Sequence, residues 1–140
     1  MKNSPAQPTK AQIRKLEVAA KAAAKQAYAP YSKFSVGAAV LTENGKIFSG
    51  CNVENASYGL SNCAEQTAIF KAVSSGARKL QAVVVYTPTK GVTAPCGTCR
   101  QVIFEFSTTA EVICFCDGKG RIEAPITALL PGAFGPDDLE

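Results

Sequence analysis

Two short segments carry residue types from which chemistry can be built: Cys63-Ala64-Glu65 and Pro95-Cys96-Gly97-Thr98-Cys99. A Cys-x-x-Cys at a helix start lets two sulfurs converge on one point, and the positive end of the helix dipole favours the thiolate form. Cys63, also at a predicted helix start, supplies a third sulfur. Zinc takes four tetrahedral ligands, so three from the protein leave one position for water, whose pKa the metal lowers toward neutrality. Glu65 lies two residues beyond Cys63 in the same helical turn, within reach of such a water without holding the metal. A purely structural zinc site would need a fourth protein ligand. The chain has no histidine, so metal ligands must be thiolates or carboxylates, and an acid–base group must be Glu, Asp, Lys, Tyr or Cys.

Other readings of these residues stay open. Cys96 and Cys99 alone read as a redox pair; the upstream Cys-x-Glu favours zinc. Asn62-x-x-Glu65 also reads as a capping box, which would make Glu65 incidental in a zinc-stabilised module without catalysis. Cys51, Cys114 and Cys116 fall on predicted strands and read as packing residues.

The elements that must position the two segments follow from pattern. Thr9 with Gln12 forms a capping box, and Ile13, Leu16, Ala20, Ala24 and Ala27 recur at helical spacing before Pro30. Val36–Thr42 and Ile47–Val53 are strands joined at Asn44-Gly45, a two-residue hairpin signal. Ser61 or Asn62 caps a second helix running to about Val73, and Gly76 ends it. Leu80–Thr87 is a buried strand, Gly97–Phe106 a helix, Glu111–Cys116 and Arg121–Ala124 strands, and Ile126–Leu130 a short helix. Strand–helix–strand units of this length imply parallel pairing. The expected fold is α/β: a three-layer α/β/α sandwich around one mixed five-stranded sheet, with reactive groups where strands end and helices begin.

Composition sets the class. The chain has 140 residues, 46% hydrophobic and 19% charged, which suits one soluble globular domain. No apolar run approaches the ~20 residues needed to span a bilayer, so no membrane partner is expected. Met1 to Gln12 lacks the apolar core of a secretory peptide, which points to the cytoplasm. Pro5 and Pro8 mark a short disordered lead-in over 1–8 before a single domain over 9–140. The net charge is +4, with Lys2, Lys10, Arg14, Lys15, Lys21, Lys25 and Lys33 crowded near the start. No aromatics are interleaved there, as a base-stacking platform would need, so the segment reads as a solvated helix face and no nucleic-acid partner is expected.

The two cysteine segments together form the all-cysteine variant of the zinc deaminase signature. More specifically, the chain resembles the small, homotetrameric cytidine deaminases. The match runs from about Ala27 to Leu139. It includes Tyr28-Ala29-Pro30-Tyr31-Ser32-Lys33-Phe34, Gly50-Cys51-Asn52-Val53-Glu54-Asn55, both zinc segments, Arg100-Gln101-Val102 and Leu129-Leu130-Pro131-Gly132-Ala133-Phe134. The resemblance implies one Zn²⁺ per subunit on Cys63, Cys96 and Cys99, and hydrolysis of cytidine and 2′-deoxycytidine to uridine and 2′-deoxyuridine plus ammonia, a reaction of pyrimidine salvage. Glu65 would shuttle a proton from water to N3 of the pyrimidine and then to the departing amine. Asn52 and Glu54 would hydrogen-bond the ribose, chiefly its 3′-hydroxyl; Phe34 would pack on the pyrimidine, and the backbone around Ala64 would contact the base. Tyr58 and Phe134 match positions where a neighbouring subunit closes the pocket.

In one place the chain departs from the pattern. Many relatives carry Arg directly after the catalytic Glu, and here the residue is Gln66. Three thiolates on Zn²⁺ leave a net charge of −1, which the helix N-termini, N–H···S bonds and Arg100 are expected to offset. Two rivals share the zinc segments. One is a deaminase of another aminopyrimidine, such as blasticidin S; the Asn52–Asn55 and Tyr58 regions favour the nucleoside. The other is a nucleic-acid deaminase, which needs an open channel for flanking nucleotides; a site that grips the 3′-hydroxyl and is closed by a neighbouring subunit argues against it.

Overall fold

Thr9 starts the first helix as its sequence demands. In the computed structural model, which describes residues 7–140, α1 (Lys10–Ala24) is opened by a reciprocal cap. The Gln12 amide donates to the Thr9 hydroxyl at 3.1 Å, and the Thr9 amide donates to the Gln12 side chain at 2.9 Å. Most of the expected lead-in, residues 1–6, lies outside the described residues. The helix stops three residues short of the spacing that runs to Ala27. The amides of Lys25, Gln26 and Ala27 each turn to the carbonyl three residues back, and the Tyr28 amide goes to the Asn52 carbonyl at 3.0 Å. The chain is captured beside a strand end before another α-turn forms.

Strands β1 (Gly37–Thr42) and β2 (Ile47–Cys51) form the hairpin. Its loop is Glu43–Gly45 rather than the expected two residues, closed by the Thr42 amide on the Lys46 carbonyl at 2.9 Å. A two-residue type I′ turn needs positive φ at both central positions, and here Gly45 has φ 82° while Asn44 stays negative. The Lys46 amide donates to the Thr42 hydroxyl at 3.1 Å, which steadies the longer loop. β2 also ends two residues early. Val53 leaves the hairpin to bridge Tyr28 and Asn62.

The remaining elements are α2 (Ala64–Ser74), β3 (Leu80–Thr87), α3 (Gly97–Phe106), β4 (Glu111–Cys116), β5 (Arg121–Pro125) and α4 (Ile126–Leu129). The sheet is five-stranded with order β2-β1-β3-β4-β5. β3 and β4 run parallel and the other neighbours antiparallel, so the sheet is mixed as expected.

Side chains alternate across the strands, and this builds two cores. Ala39, Leu41, Ala82, Val84, Tyr86 and Ile113 pack against Leu16, Ala20 and Ala24 of α1. Ala38, Val40, Val83, Val85, Val112 and Cys114 pack on the other side against Ala64, Ala68, Ile69 and Ala72 of α2, with Ile103 and Ile126. The result is the expected α/β/α sandwich. Each aliphatic side chain fully buried in these layers contributes about 1.5–3 kcal/mol. Cys114 and Cys116 are buried, as packing residues should be.

The small residues of α1 and β1 let the two backbones meet. A Cβ on Gly37 would lie 1.9 Å from the Ala20 carbonyl oxygen and 2.6 Å from the Ala24 nitrogen. Neither atom can move without displacing the helix. Gly37→Ala is therefore expected to destabilise by on the order of 3 kcal/mol, the upper end of overpacking costs, read as a fall in urea midpoint at unchanged slope.

Candidate active site

Strand direction brings the two cysteine segments together. β1 is antiparallel to both β2 and β3, so those two strands run the same way and finish at the same end of the sheet. The helices that follow them, α2 and α3, therefore both begin there.

Cys63 is the N-cap of α2 and Cys96 the N-cap of α3, and neither makes a side-chain cap bond. The expected caps Ser61 and Asn62 are engaged elsewhere. The Ser61 hydroxyl accepts from the Asn55 amide at 3.1 Å, and Asn62 exchanges two 2.9 Å backbone bonds with Val53. The positive ends of both helices thus begin at the two cysteines without a side-chain cap. Asn62 lies outside the helix, so the Asn62–Glu65 capping box does not form.

The Sγ atoms of Cys63 and Cys96 are 3.8 Å apart, those of Cys96 and Cys99 3.5 Å, and all three lie within 4.8 Å of one another. Two sulfurs each ~2.3 Å from a tetrahedral zinc lie about 3.8 Å apart, so the cluster has the span this ion requires. Its acid–base state agrees. The Cys99 thiol holds Cys63 down at about 7, against burial and the nearby Glu65 carboxylate. Cys63 and burial together push Cys99 well above the usual thiol range. Bare sulfurs this close cannot all ionise; a divalent cation makes three thiolates compatible.

Two polar side chains attend the sulfurs. Gln66 Nε2 donates to Cys99 Sγ at 3.6 Å, and the Thr98 hydroxyl lies 3.1 Å from Cys96 Sγ. Arg100 makes its hydrogen bonds elsewhere. Its guanidinium donates to the carbonyls of Pro95 and Leu129, both at 2.9 Å, and so holds the α3 entry to α4. Gln66 and the helix N-termini meet the sulfurs most directly, and the Arg100 cation, next in sequence to Cys99, acts on them through space. Gln66→Arg is expected to bind zinc and turn over comparably to the wild type. A rise in kcat above about tenfold, worth ~1.4 kcal/mol, would show that this compensation is incomplete.

Glu65 stands beside the cluster, 4% exposed. Burial raises its pKa, while its own backbone N–H and the Cys99 thiol pull the other way. A carboxyl lifted toward neutrality suits a group that takes and returns a proton.

These groups open on a cavity of about 260 Å³ whose walls include Phe34, Asn52, Glu54, Cys63, Ala64, Glu65 and Cys96. Cys99 is fully buried and completes the sulfur cluster away from the cavity wall. Asn52 and Glu54 are past the end of β2 rather than on it, yet both line the cavity because Val53 between them is pinned by its two bridges. Two expected residues are not brought in. Tyr58 is 74% exposed and faces a neighbouring cleft with Tyr31, while Phe134 is 59% exposed with its carbonyl held by Gln101 Nε2 at 2.9 Å. The walls also include Val36, Val85, Thr87, Thr93 and Ala94. Val85 and Thr87 could have been anticipated from their place at the C-terminal end of a strand; Thr93 and Ala94 carry no such signal.

Comparison with known proteins converges on one group. The family model for the cytidine and deoxycytidylate deaminase zinc-binding region matches residues 10–116. A cytidine deaminase of Sporosarcina psychrophila is 52% identical over 128 residues, covering 91% of this chain and 94% of that protein. One from Halalkalibacterium halodurans is 48% identical over 114 residues, covering 81% and 86%. Among solved structures, the cytidine deaminase of Burkholderia pseudomallei superposes with a TM-score of 0.82 at 51% identity, covering 86% of this chain and 98% of that one. That of Mycobacterium tuberculosis gives 0.76 at 41%, covering 88% and 97%.

Proposed function

This chain belongs to the cytidine and deoxycytidylate deaminase family, and from that premise we propose that it hydrolyses cytidine and 2′-deoxycytidine to uridine and 2′-deoxyuridine, with Glu65 as the proton shuttle. The observation that carries the reading is that Glu65 and the cysteine cluster, through Cys63 and Cys96, open onto one cavity together with Phe34, Asn52 and Glu54.

Cys63, Cys96 and Cys99 hold one zinc. When bound, the ion supplies the Lewis acidity that lets a water give up a proton near neutral pH. The Glu65 carboxylate takes that proton and delivers it to N3 of the pyrimidine. The water oxygen bonds to C4; Glu65 then takes the second proton from that oxygen and passes it to the amine, the C4–N bond breaks, and ammonia leaves with the oxygen kept on the ring as the carbonyl. One carboxyl serves as base and then as acid. Phe34 packs on the pyrimidine, the backbone at Ala64 contacts the base, and Asn52 and Glu54 hold the sugar hydroxyl.

The protein is further proposed to be a homotetramer with shared active sites, built from one domain over residues 9–140. Tyr58, exposed in a cleft that shares Ser32 and Glu54 with the cavity, and the large exposed ring of Phe134 support closure by a neighbouring subunit. Six free cysteines sit with a reducing compartment, and so with pyrimidine salvage in the cytoplasm. No helix among the described residues is long and apolar enough to cross a membrane.

The test is direct. Purified protein is mixed with cytidine, with blasticidin S and with a cytosine-containing single-stranded oligonucleotide, and ammonia is measured in each. Rapid release from cytidine alone is expected. A zinc-loaded protein silent on cytidine removes the assignment, and faster release from blasticidin S or the oligonucleotide transfers it.

A further inference from the structure

The segment 31–36 walls one side of the cavity, and two side chains hold it there. Glu54 Oε1 accepts from the amides of Tyr31 at 3.0 Å and Ser32 at 3.1 Å, and its Oε2 accepts from the Ser32 hydroxyl. Asn52 Oδ1 accepts from the Val36 amide at 2.9 Å, and its Nδ2 donates to the Phe34 carbonyl at 2.8 Å. The Ser32 hydroxyl also accepts from the Phe34 amide at 3.0 Å. One hydroxyl therefore ties the Glu54 carboxylate to the backbone of the residue that carries the ring.

Between them Lys33 has φ 60°, in the left-handed region. A non-glycine residue persists there only where its surroundings over-determine it. The Ser32 bonds on one side, and the Lys33 amide on the Ala29 carbonyl at 3.1 Å, supply that constraint. A carboxylate offers about four acceptor sites. Three of those on Glu54 are filled by this loop, and the direction of what remains toward the cavity depends on the grip of the Ser32 hydroxyl on Oε2.

We propose that Ser32 is a positioning residue: its hydroxyl, anchored on the Phe34 amide, orients the Glu54 carboxylate toward the sugar of the substrate. This rests on the reading that Glu54 holds the 3′-hydroxyl. The loop is thus part of the recognition device and not only a wall. Asn52, with one donor and one acceptor already spent on Phe34 and Val36, fixes the far end of the same segment.

The experiment compares cytidine with 3′-deoxycytidine, which lacks the hydroxyl concerned, for the wild type, Ser32→Ala, Ser32→Thr and Glu54→Gln, with zinc content and thermal midpoint measured for each. Ser32→Ala is expected to lower kcat/KM for cytidine about tenfold, carried by KM, through loss of one hydrogen bond to a charged group. Its kcat and zinc content stay within about twofold, Ser32→Thr recovers to within about threefold, and on 3′-deoxycytidine Ser32→Ala differs from the wild type by less than about threefold. Equal losses on the two substrates, or a Thr variant as impaired as Ala, overturn the proposal. Glu54→Gln separates the two levels. If it weakens both substrates equally, the sugar reading fails and Ser32 with it. If it discriminates between them and Ser32→Ala does not, only the role of Ser32 fails.

Discussion

Glu65→Gln is expected to lower kcat on cytidine by about 10³–10⁴-fold, the upper part of the range for a positioned proton donor and acceptor, with zinc content unchanged. In the proposed mechanism Glu65 serves two transfers, so its loss should be felt twice. The three sulfurs form the cluster without it, and the Glu65 carboxylate lies beside them in the cavity wall. Stability should move in the opposite direction to activity. Burial raises the pKa of this carboxyl, so the folded protein bears a cost for keeping it ionised that a neutral amide of the same shape does not. A urea midpoint equal to or above that of the wild type is the expected companion result. Glu65→Ala serves as the second variant. A helix-capping role predicts instead a loss of about 1 kcal/mol with turnover intact. Turnover within tenfold of the wild type at full zinc loading would sink the shuttle assignment.

The second large effect is loss of the metal. Replacing Cys63, Cys96 or Cys99 with Ala is expected to reduce both zinc content and activity to background, more than the 10–100-fold typical of residues that only support a ligand. The three variants should differ in stability. Cys99 is fully buried and Cys96 exposed, so Cys99→Ala adds a small cavity to the loss of zinc and should unfold first. Cys114→Ala provides the contrast. Cys114 is buried in the core that faces α2 and α3, so its removal should cost stability while zinc and turnover persist. Zinc retained at full stoichiometry in the Cys96 variant would mean that the cluster is not the binding site. Readings by metal analysis and by ammonia release keep the two effects apart.

The zinc segments were legible because their chemistry depends on residue type and short spacing, both of which a sequence displays. The element order was legible for a similar reason: the β-branched run Val83–Val85 and the 3.6-residue spacing in Ile13–Ala24 are local. What was not legible depends on partners far along the chain. Ser61 and Asn62 look like helix caps, yet Asn55 and Val53 claim them, and Cys63 takes the N-cap position instead. Arg100 beside a ligand looks like a hydrogen-bond partner for the sulfurs, yet its bonds go to Pro95 and Leu129. Asn44-Gly45 promises the tightest hairpin, and the Thr42 hydroxyl favours a longer one. The ends of α1 and β2 depart from the sequence pattern together, because the same pairing of Tyr28 with the Asn52–Glu54 stretch stops both. Tyr58 and Phe134 came from resemblance alone, and a single chain leaves them at the surface.

The division of the core by the sheet sets how changes in this protein combine. All the chemistry lies on the side of α2 and α3, while α1 and its Leu16–Ala20–Ala24 stripe pack on the other. Substitutions in the middle of α1 and at the cavity share no side-chain partners, so their free energies should add to within about 0.3–0.5 kcal/mol. Epistasis should instead concentrate in residues 25–36, the covalent thread from the last turn of α1 to the loop that Asn52 and Glu54 hold. A variant library would therefore show a quiet layer, where robustness can accumulate without touching turnover, joined by one sensitive seam to a layer where it cannot.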